Sequence, residues 1–266
     1  MNDDLETMRA FFDRRADSYE THMKNKVEDS EKFYIEVSNL VPETTGVSIL
    51  DLGCGTGLEL DQIFSRNPTA SVTGIDLSDK MLEILRSKHH FRSDQLNLIA
   101  GSYFEVEFPS EGFDLAISVQ SVHHFGYGQK LSIYNKIFRS LVGNGMYIEA
   151  DYVVSTEIEE KEYRKRYESL KRVCNVPDGF YHFDLPLSIN NQQAVLEKVH
   201  ACKTPCKIRE YQYFYFAKAH IKMKMNLLKT MESQWLSIFI FRTEYCLLRS
   251  DNYIDYLVLN VDDLSY

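Results

Sequence analysis

Three glycines, Gly53, Gly55 and Gly57, follow directly on the apolar run from Val47 to Leu52, which includes Asp51 near its end. Glycine at such a turn supplies positive φ and lets a ligand approach bare main chain. A helix beginning at about residue 57 would add N–H groups and a partial positive charge, which suit a carboxylate or phosphate. The pattern builds a pocket for a nucleotide-like ligand at the carboxyl end of a first strand. Spacing narrows the choice. A dinucleotide fingerprint, G-x-G-x-x-G/A, needs a small residue at 58, and Leu58 stands there. That counts against a nicotinamide-dependent oxidoreductase.

A second acid, Asp76, ends the run that starts at Val72. Ionised Asp is acceptor-only and can take both hydroxyls of a ribose. Capping a helix that starts near Ser78 or Asp79 is its competing role. A third run closes on Gly101, Ser102 and Tyr103, where Tyr103 offers stacking area. The fourth ends in Gln120-Ser-Val-His-His-Phe125. His123 or His124 could act as a general base, since imidazole titrates near neutrality. Neighbouring side chains diverge and spacing places no third ligand, so no metal site is expected. His182 and Asp184, in an aromatic loop, are a further acid/base candidate, with loop hydrogen bonding as the competing role.

The run from Asp51 to Gly57, D-x-G-x-G-x-G, resembles motif I of the class I S-adenosylmethionine-dependent methyltransferases of small-molecule type. The run G-I-D-L-S-x-x-M-L, through Met81, resembles their motif II. The resemblance implies S-adenosylmethionine as cofactor. Asp51, Gly53, Cys54 and Gly55 would then surround its amino-acid end, and Asp76 would hold the ribose. Leu77 and Met81 would flank adenine, with Gly101, Ser102 and Tyr103 beside it. Gln120 and Val122 would lie under the methionine half, and Tyr19 would reach in from an N-terminal cap. The family often carries Asp where Ser102 stands, so adenine should be held less tightly here.

That family implies an α/β, Rossmann-like, doubly wound sheet of seven strands. Its order is 3-2-1-4-5-7-6, the seventh strand antiparallel, with helices on both faces and a helical lid insertion. The implied reaction is in-line displacement of the sulfonium methyl. Orientation alone can supply about 7–11 kcal/mol there, against roughly 10²–10⁴-fold from a general base, so no catalytic residue need be visible. A non-catalytic cofactor-binding protein acting through a protein partner is the alternative.

The elements that must position these groups alternate. Strands over 47–52, 71–76, 96–100, 113–119 and 145–154 are interleaved with helices over 57–66, 79–88 and 129–141, which means a parallel sheet. Gly143-Asn-Gly145 reads as a breaker before the last of these strands. Ahead of them, a helix over 8–23 either packs on the domain edge or covers the ligand. Behind them lie a charged helix over 155–174, an aromatic loop from Asp178 to Leu187 and a helix over 190–200. Phe180, Tyr181 and Phe183 of that loop are expected to enclose a small, partly apolar acceptor. One or two strands follow in 206–225. The last forty residues, with Trp235 and the apolar cluster 236–241, are expected to be packed or to form an oligomer contact. The division expected is 1–45 helical cap, 46–154 cofactor-binding core, 155–205 substrate-covering insertion, and 206–266 last strands with an extension of unknown role.

The net charge of −9 and the acidic isoelectric point lack the basic footprint of nucleic-acid binding. The acidic start, Met1 to Glu6, has no apolar signal core, and the longest apolar runs, such as Ile238 to Phe241, are too short for a span. Five cysteines (54, 174, 202, 206 and 246) without a C-x-x-C pair suit reduced thiols. A cytoplasmic protein with a small-molecule acceptor, no membrane, no nucleic acid and a monomeric or homodimeric state is expected.

Overall fold

The computed structural model describes residues 5–26, 30–201, 212–215 and 234–242. Its sheet starts with β1 (Ser48–Leu52), whose residues pack on opposite faces in turn. Ile49 meets Val37 of α2 (Ser30–Leu40), Ile63 of α3 (Leu58–Arg66) and Leu85 of α4 (Asp79–Lys88). Leu50 and Leu52 belong instead with Ile133 and Ile137 of α5 (Tyr127–Ser140) and Leu196 of α7 (Ile189–Ala201). Two cores therefore sandwich the sheet, and near-continuous apolar strands are what that arrangement demands.

Seven strands run in the order β3-β2-β1-β4-β5-β7-β6. The strands β2 (Ser71–Asp76), β3 (Leu96–Ala100), β4 (Phe113–Val119) and β5 (Leu141–Val154) are parallel to β1 or to one another. β7 (Gln234–Arg242) pairs antiparallel with β5, from Met146 opposite Arg242 to Val154 opposite Gln234, and β6 (Gln212–Tyr215) pairs antiparallel with β7. The cluster 236–241 is thus a strand within the sheet. The ends of β1, β2 and β4 face one crevice at the point where strand order reverses, which is where such sheets bind ligands.

One expectation fails in detail. Gly143-Asn-Gly145 does not separate helix from strand: α5 stops at Ser140 and β5 begins at Leu141. Phe113 pairs with Leu141 and Leu115 with Met146, so the glycines sit inside the strand where its pairing with β4 shifts register. Glycine tolerates such a bulge because no side chain has to be packed.

Ahead of the sheet, α1 (Met8–Lys26) is tied at both ends of the crevice. Its Met8 N–H donates to Phe180 O at 2.9 Å, and Ser78 Oγ donates to Asp13 Oδ1 at 2.5 Å. Behind the sheet, α6 (Glu157–Cys174) starts with a capping box in which Thr156 Oγ1 accepts from Glu159 N. The loop after it returns over the crevice. Leu185 N–H donates to His123 O at 2.8 Å, and Val154 N–H to Leu187 O at 3.0 Å.

A polar network is buried in the α5–β5–α7 core. Lys130 Nζ lies 2.8 Å from Gln192 Oε1 and 3.4 Å from Glu149 Oε1. Tyr134 and Tyr147 hydroxyls both donate to Glu149 Oε2, at 2.6 and 3.0 Å. Every polar atom named finds a partner, which is the condition for tolerating a buried charge pair.

Among the described residues no helix is long and apolar enough to cross a membrane. The expectations for Met1 to Asp4, for Cys202, Cys206 and Cys246, and for the parts of 206–266 outside β6 and β7 lie outside the described residues.

Candidate active site

The glycine-rich turn is a left-handed loop: φ is +76° at Gly53, +48° at Gly55 and +71° at Gly57. Each glycine is required for a different reason. A Cβ on Gly53 would overlap the Ser121 hydroxyl, and one on Gly57 would overlap Leu85. A Cβ on Gly55 would meet no atom nearer than 4.0 Å; it would project into open space. At Gly55 only the left-handed φ calls for glycine, and the space beside it is left free.

The loop's N–H groups are less available than its sequence suggests. Gly53 and Cys54 N–H both donate to Ile75 O, at 2.8 and 3.2 Å, and Gly55 N–H donates to Asp76 Oδ2 at 2.9 Å. What the turn offers a ligand is free space and a carboxylate held beside it.

Asp76 stands at the tip of β2. Its other oxygen, Oδ1, accepts from Ser78 N at 2.8 Å, while Ser78, not Asp76, caps α4 by accepting from Met81 N. Burial raises the Asp76 pKa to about 6, against the lowering effect of the two N–H bonds. Two backbone donors use two of about four acceptor positions on the carboxylate, leaving capacity for two hydroxyls.

A cavity of about 500 Å³, counting its open mouth, joins these groups. Of the residues expected to hold the cofactor, Tyr19, Gly53, Gly55, Asp76, Leu77, Met81, Tyr103 and Gln120 line it. The wall also includes Met8, Phe12, Val119, Ser121 and His124. Met8 and Phe12 lie one helical turn apart on α1, so the helix does cover the crevice as well as packing. Gln120 has φ +51°, unusual for a side-chain-bearing residue, and its Nε2 is buried without a partner among the described residues.

Five expected residues lie off the wall. Cys54 turns its Sγ toward Gly74, and Val122 is fully buried in the core. Gly101 N–H is used by Asp76 O, and Ser102 Oγ accepts from Phe104 N at 3.2 Å inside its own turn. Asp51 is buried behind the loop, with neither carboxyl oxygen partnered. Beside it sits Glu59 on α3, which sequence reasoning did not single out; an acid in a helix's first turn reads as ordinary dipole compensation. Burial first, then the mutual repulsion of the pair, raises Asp51 well above the usual carboxylate range, and burial raises Glu59 to about 7.

The aromatic loop contributes differently from expectation. Phe180, Tyr181 and Phe183 are not on the cavity wall. Phe180 stacks on Phe104, Tyr181 donates to Pro177 O, and Phe183 packs on Tyr167. The polar residues of the loop, His182 and Asp184, instead approach His124 of the cavity wall. Asp184 Oδ1 lies 3.4 Å from His123 Nε2 and 3.3 Å from His124 Nδ1. His123 Nδ1 bonds to Asp151 on β5, whose Oδ2 also accepts His123 N–H at 2.9 Å. Burial disfavours charge on His123, but Asp151 and Asp184 override it and push its pKa up to about 10. His124 is lowered by burial and by its charged neighbour. His182 stacks on Phe11 and is held down to about 3, chiefly by burial.

Residues 49–145 match a family described as a methyltransferase domain. Among curated relatives, the sterol 24-C-methyltransferase of Yarrowia lipolytica is 26% identical over 125 residues, 46% of this chain and 32% of that protein. The malonyl-[acyl-carrier protein] O-methyltransferase of Bacillus cytotoxicus is 22% identical, over 64% of this chain and 65% of that protein. The chain thus spans about a third of the sterol enzyme it matches. Haemonchus contortus phosphoethanolamine N-methyltransferase 2, solved with phosphomonomethylethanolamine and S-adenosylhomocysteine, shares the fold. Its TM-score is 0.65 at 17% identity, covering 89% of this chain and 60% of that one. The glycine turn, the β2 acid and the crevice all lie within or beside residues 49–145, the stretch that matches a methyltransferase domain.

Proposed function

We propose that this chain transfers the methyl group of S-adenosylmethionine to a small-molecule acceptor. The observation that carries the reading is the single cavity in which Gly55, Asp76, Leu77, Met81, Tyr103 and Gln120 meet. Asp76 would accept the ribose hydroxyls, Leu77 and Met81 would flank adenine, and the amino-acid end would lie over Gly55. The buried, unpartnered Gln120 amide on the cavity wall fits the polar end of such a ligand, since buried polar groups are normally hydrogen-bonded. Once bound, the cofactor supplies an electrophilic methyl whose bond to sulfur breaks as the acceptor's lone pair bonds to carbon.

The chain's own work is orientation and exclusion of water. Phe12 and Tyr19 of α1 cover the cavity, and His124 borders it on the side of the 155–205 insertion. We assign 1–45 as cap, 46–154 as cofactor core and 155–205 as acceptor cover. A site enclosed on both sides favours a small acceptor over a nucleic acid, as does the net charge of −9. Cys54 and Cys174, in no disulfide among the described residues, suit a reducing, cytoplasmic setting.

The test is thermal stabilisation by S-adenosylhomocysteine and by NADH, with transfer of label from S-adenosylmethionine to a metabolite extract. Stabilisation by S-adenosylhomocysteine with label in a small acceptor is expected. Stabilisation by NADH alone overturns the reading; binding without transfer to any acceptor points to a non-catalytic role through a protein partner.

A further inference from the structure

Three ligand-type residues, His123, His124 and Asp184, converge beside the cavity, each offering one atom within 4.8 Å of the others, and Asp184 Oδ1 faces His123 Nε2 and His124 Nδ1. We propose that they bind one divalent transition-metal ion of the zinc class, with an open position toward the methyl-acceptor end of the cavity.

The separations favour an ion over a proton as the shared occupant. Asp184 Oδ1 is 3.4 Å from His123 Nε2 and 3.3 Å from His124 Nδ1. Charge-assisted N–H···O bonds are shorter, about 2.7–2.9 Å. Ligand atoms bonded at roughly 2.0–2.1 Å in a tetrahedron stand about 3.3–3.4 Å apart, so these groups have the spacing of a coordination edge. The groups that hold the histidine rings are in place as well. Asp151 takes the Nδ1–H of His123 and also its main-chain N–H, which fixes the ring with Nε2 toward Asp184, and an ion bound there would displace the Nε2 proton. Asp151 is in turn held by Tyr152 N–H at 2.9 Å. Phe183 O, 3.2 Å from His124 Nδ1, takes that proton when no metal is present.

Two buried histidines and one carboxylate leave coordination positions free, the mark of a catalytic rather than a structural site. Because His124 is itself part of the cavity wall, the free position opens where the acceptor would sit. An oxygen of the acceptor would bind there and lose its proton more readily, as water does on zinc. This last step rests on the methyl-transfer reading; the metal site does not.

The test uses the full chain stripped with a chelator, titrated with zinc sulfate by calorimetry and with cobalt(II) by visible absorption. S-adenosylhomocysteine binding is measured on the same samples. One ion per chain is expected, with cobalt bands lacking a thiolate charge-transfer feature. Asp184→Asn and His124→Gln should each weaken uptake at least tenfold, and Cys202→Ser/Cys206→Ser should leave it unchanged. A folded chain that takes up no ion overturns the proposal. So does uptake indifferent to both ligand substitutions, or lost in the cysteine variant. S-adenosylhomocysteine binding without metal uptake removes the metal site and leaves the cofactor assignment standing; the converse removes only the latter.

Discussion

Replacing Asp76 with Ala separates the two uses of its carboxylate. In the protein it accepts from Gly55 N at 2.9 Å and Ser78 N at 2.8 Å, which holds the glycine turn against β2. The remaining acceptor capacity would serve two ribose hydroxyls. A hydrogen bond to a charged group is worth about 1.5–3 kcal/mol, so two lost ribose bonds remove about 3–6 kcal/mol before water refills the gap. After that compensation, affinity should fall at least tenfold, about 1.4 kcal/mol. Loss of the two loop bonds should destabilise the fold separately by about 1–3 kcal/mol. Calorimetry with S-adenosylhomocysteine reads the first effect and thermal unfolding the second. The wild type adds a check: Asp76 titrates at about 6, so affinity should decline as pH falls through 6, by up to about tenfold per unit. A folded Asp76→Ala variant with unchanged affinity would refute the ribose assignment.

Gly55→Val places a branched side chain at φ +48° in open space, so the domain should fold at a cost of about 1–2 kcal/mol and yet lose cofactor binding. Normal binding by that variant would show that no ligand approaches the loop there. Lys130→Ala leaves Glu149 buried without its cation and should destabilise by about 3–5 kcal/mol in chemical denaturation; a loss under 1 kcal/mol would mean that the tyrosines and Gln192 alone sustain the carboxyl. For Glu59, burial raises the folded pKa from 4.5 to about 7, so the native state binds the extra proton between those values and stability falls as pH rises through that window. Glu59→Gln removes this dependence and should be more stable by about 3 kcal/mol at pH 8 and unchanged at pH 4. Equal pH profiles for variant and wild type would show that burial leaves the Glu59 carboxyl unshifted.

Local chemistry was legible in the sequence; meetings of distant segments were not. Gly53-x-Gly55-x-Gly57 behind an apolar strand, and Asp76 after the next one, announce themselves because spacing along one βαβ unit fixes where they lie. The requirement that Gly53 clear Ser121 depends on β1 pairing with β4, which spacing does not encode. Asp184 comes to His123 and His124 only because the loop after α6 bonds back through Leu185 N–H to His123 O. The aromatics of that loop, which composition marked as an acceptor lining, are consumed in packing on Phe104 and Tyr167. Glu149 and Lys130 were hidden for a related reason: a charged residue inside an apolar strand pattern reads as solvent-facing until its partner on another helix is known.

Crystals grown with S-adenosylhomocysteine give the most direct measurement. The account predicts the ribose hydroxyls on the Asp76 carboxylate, adenine between Leu77 and Met81, and the amino-acid end lying over Gly55. A ligand whose ribose sits away from Asp76, or a crevice closed by Phe12 and Tyr19 that admits no nucleoside, would contradict it.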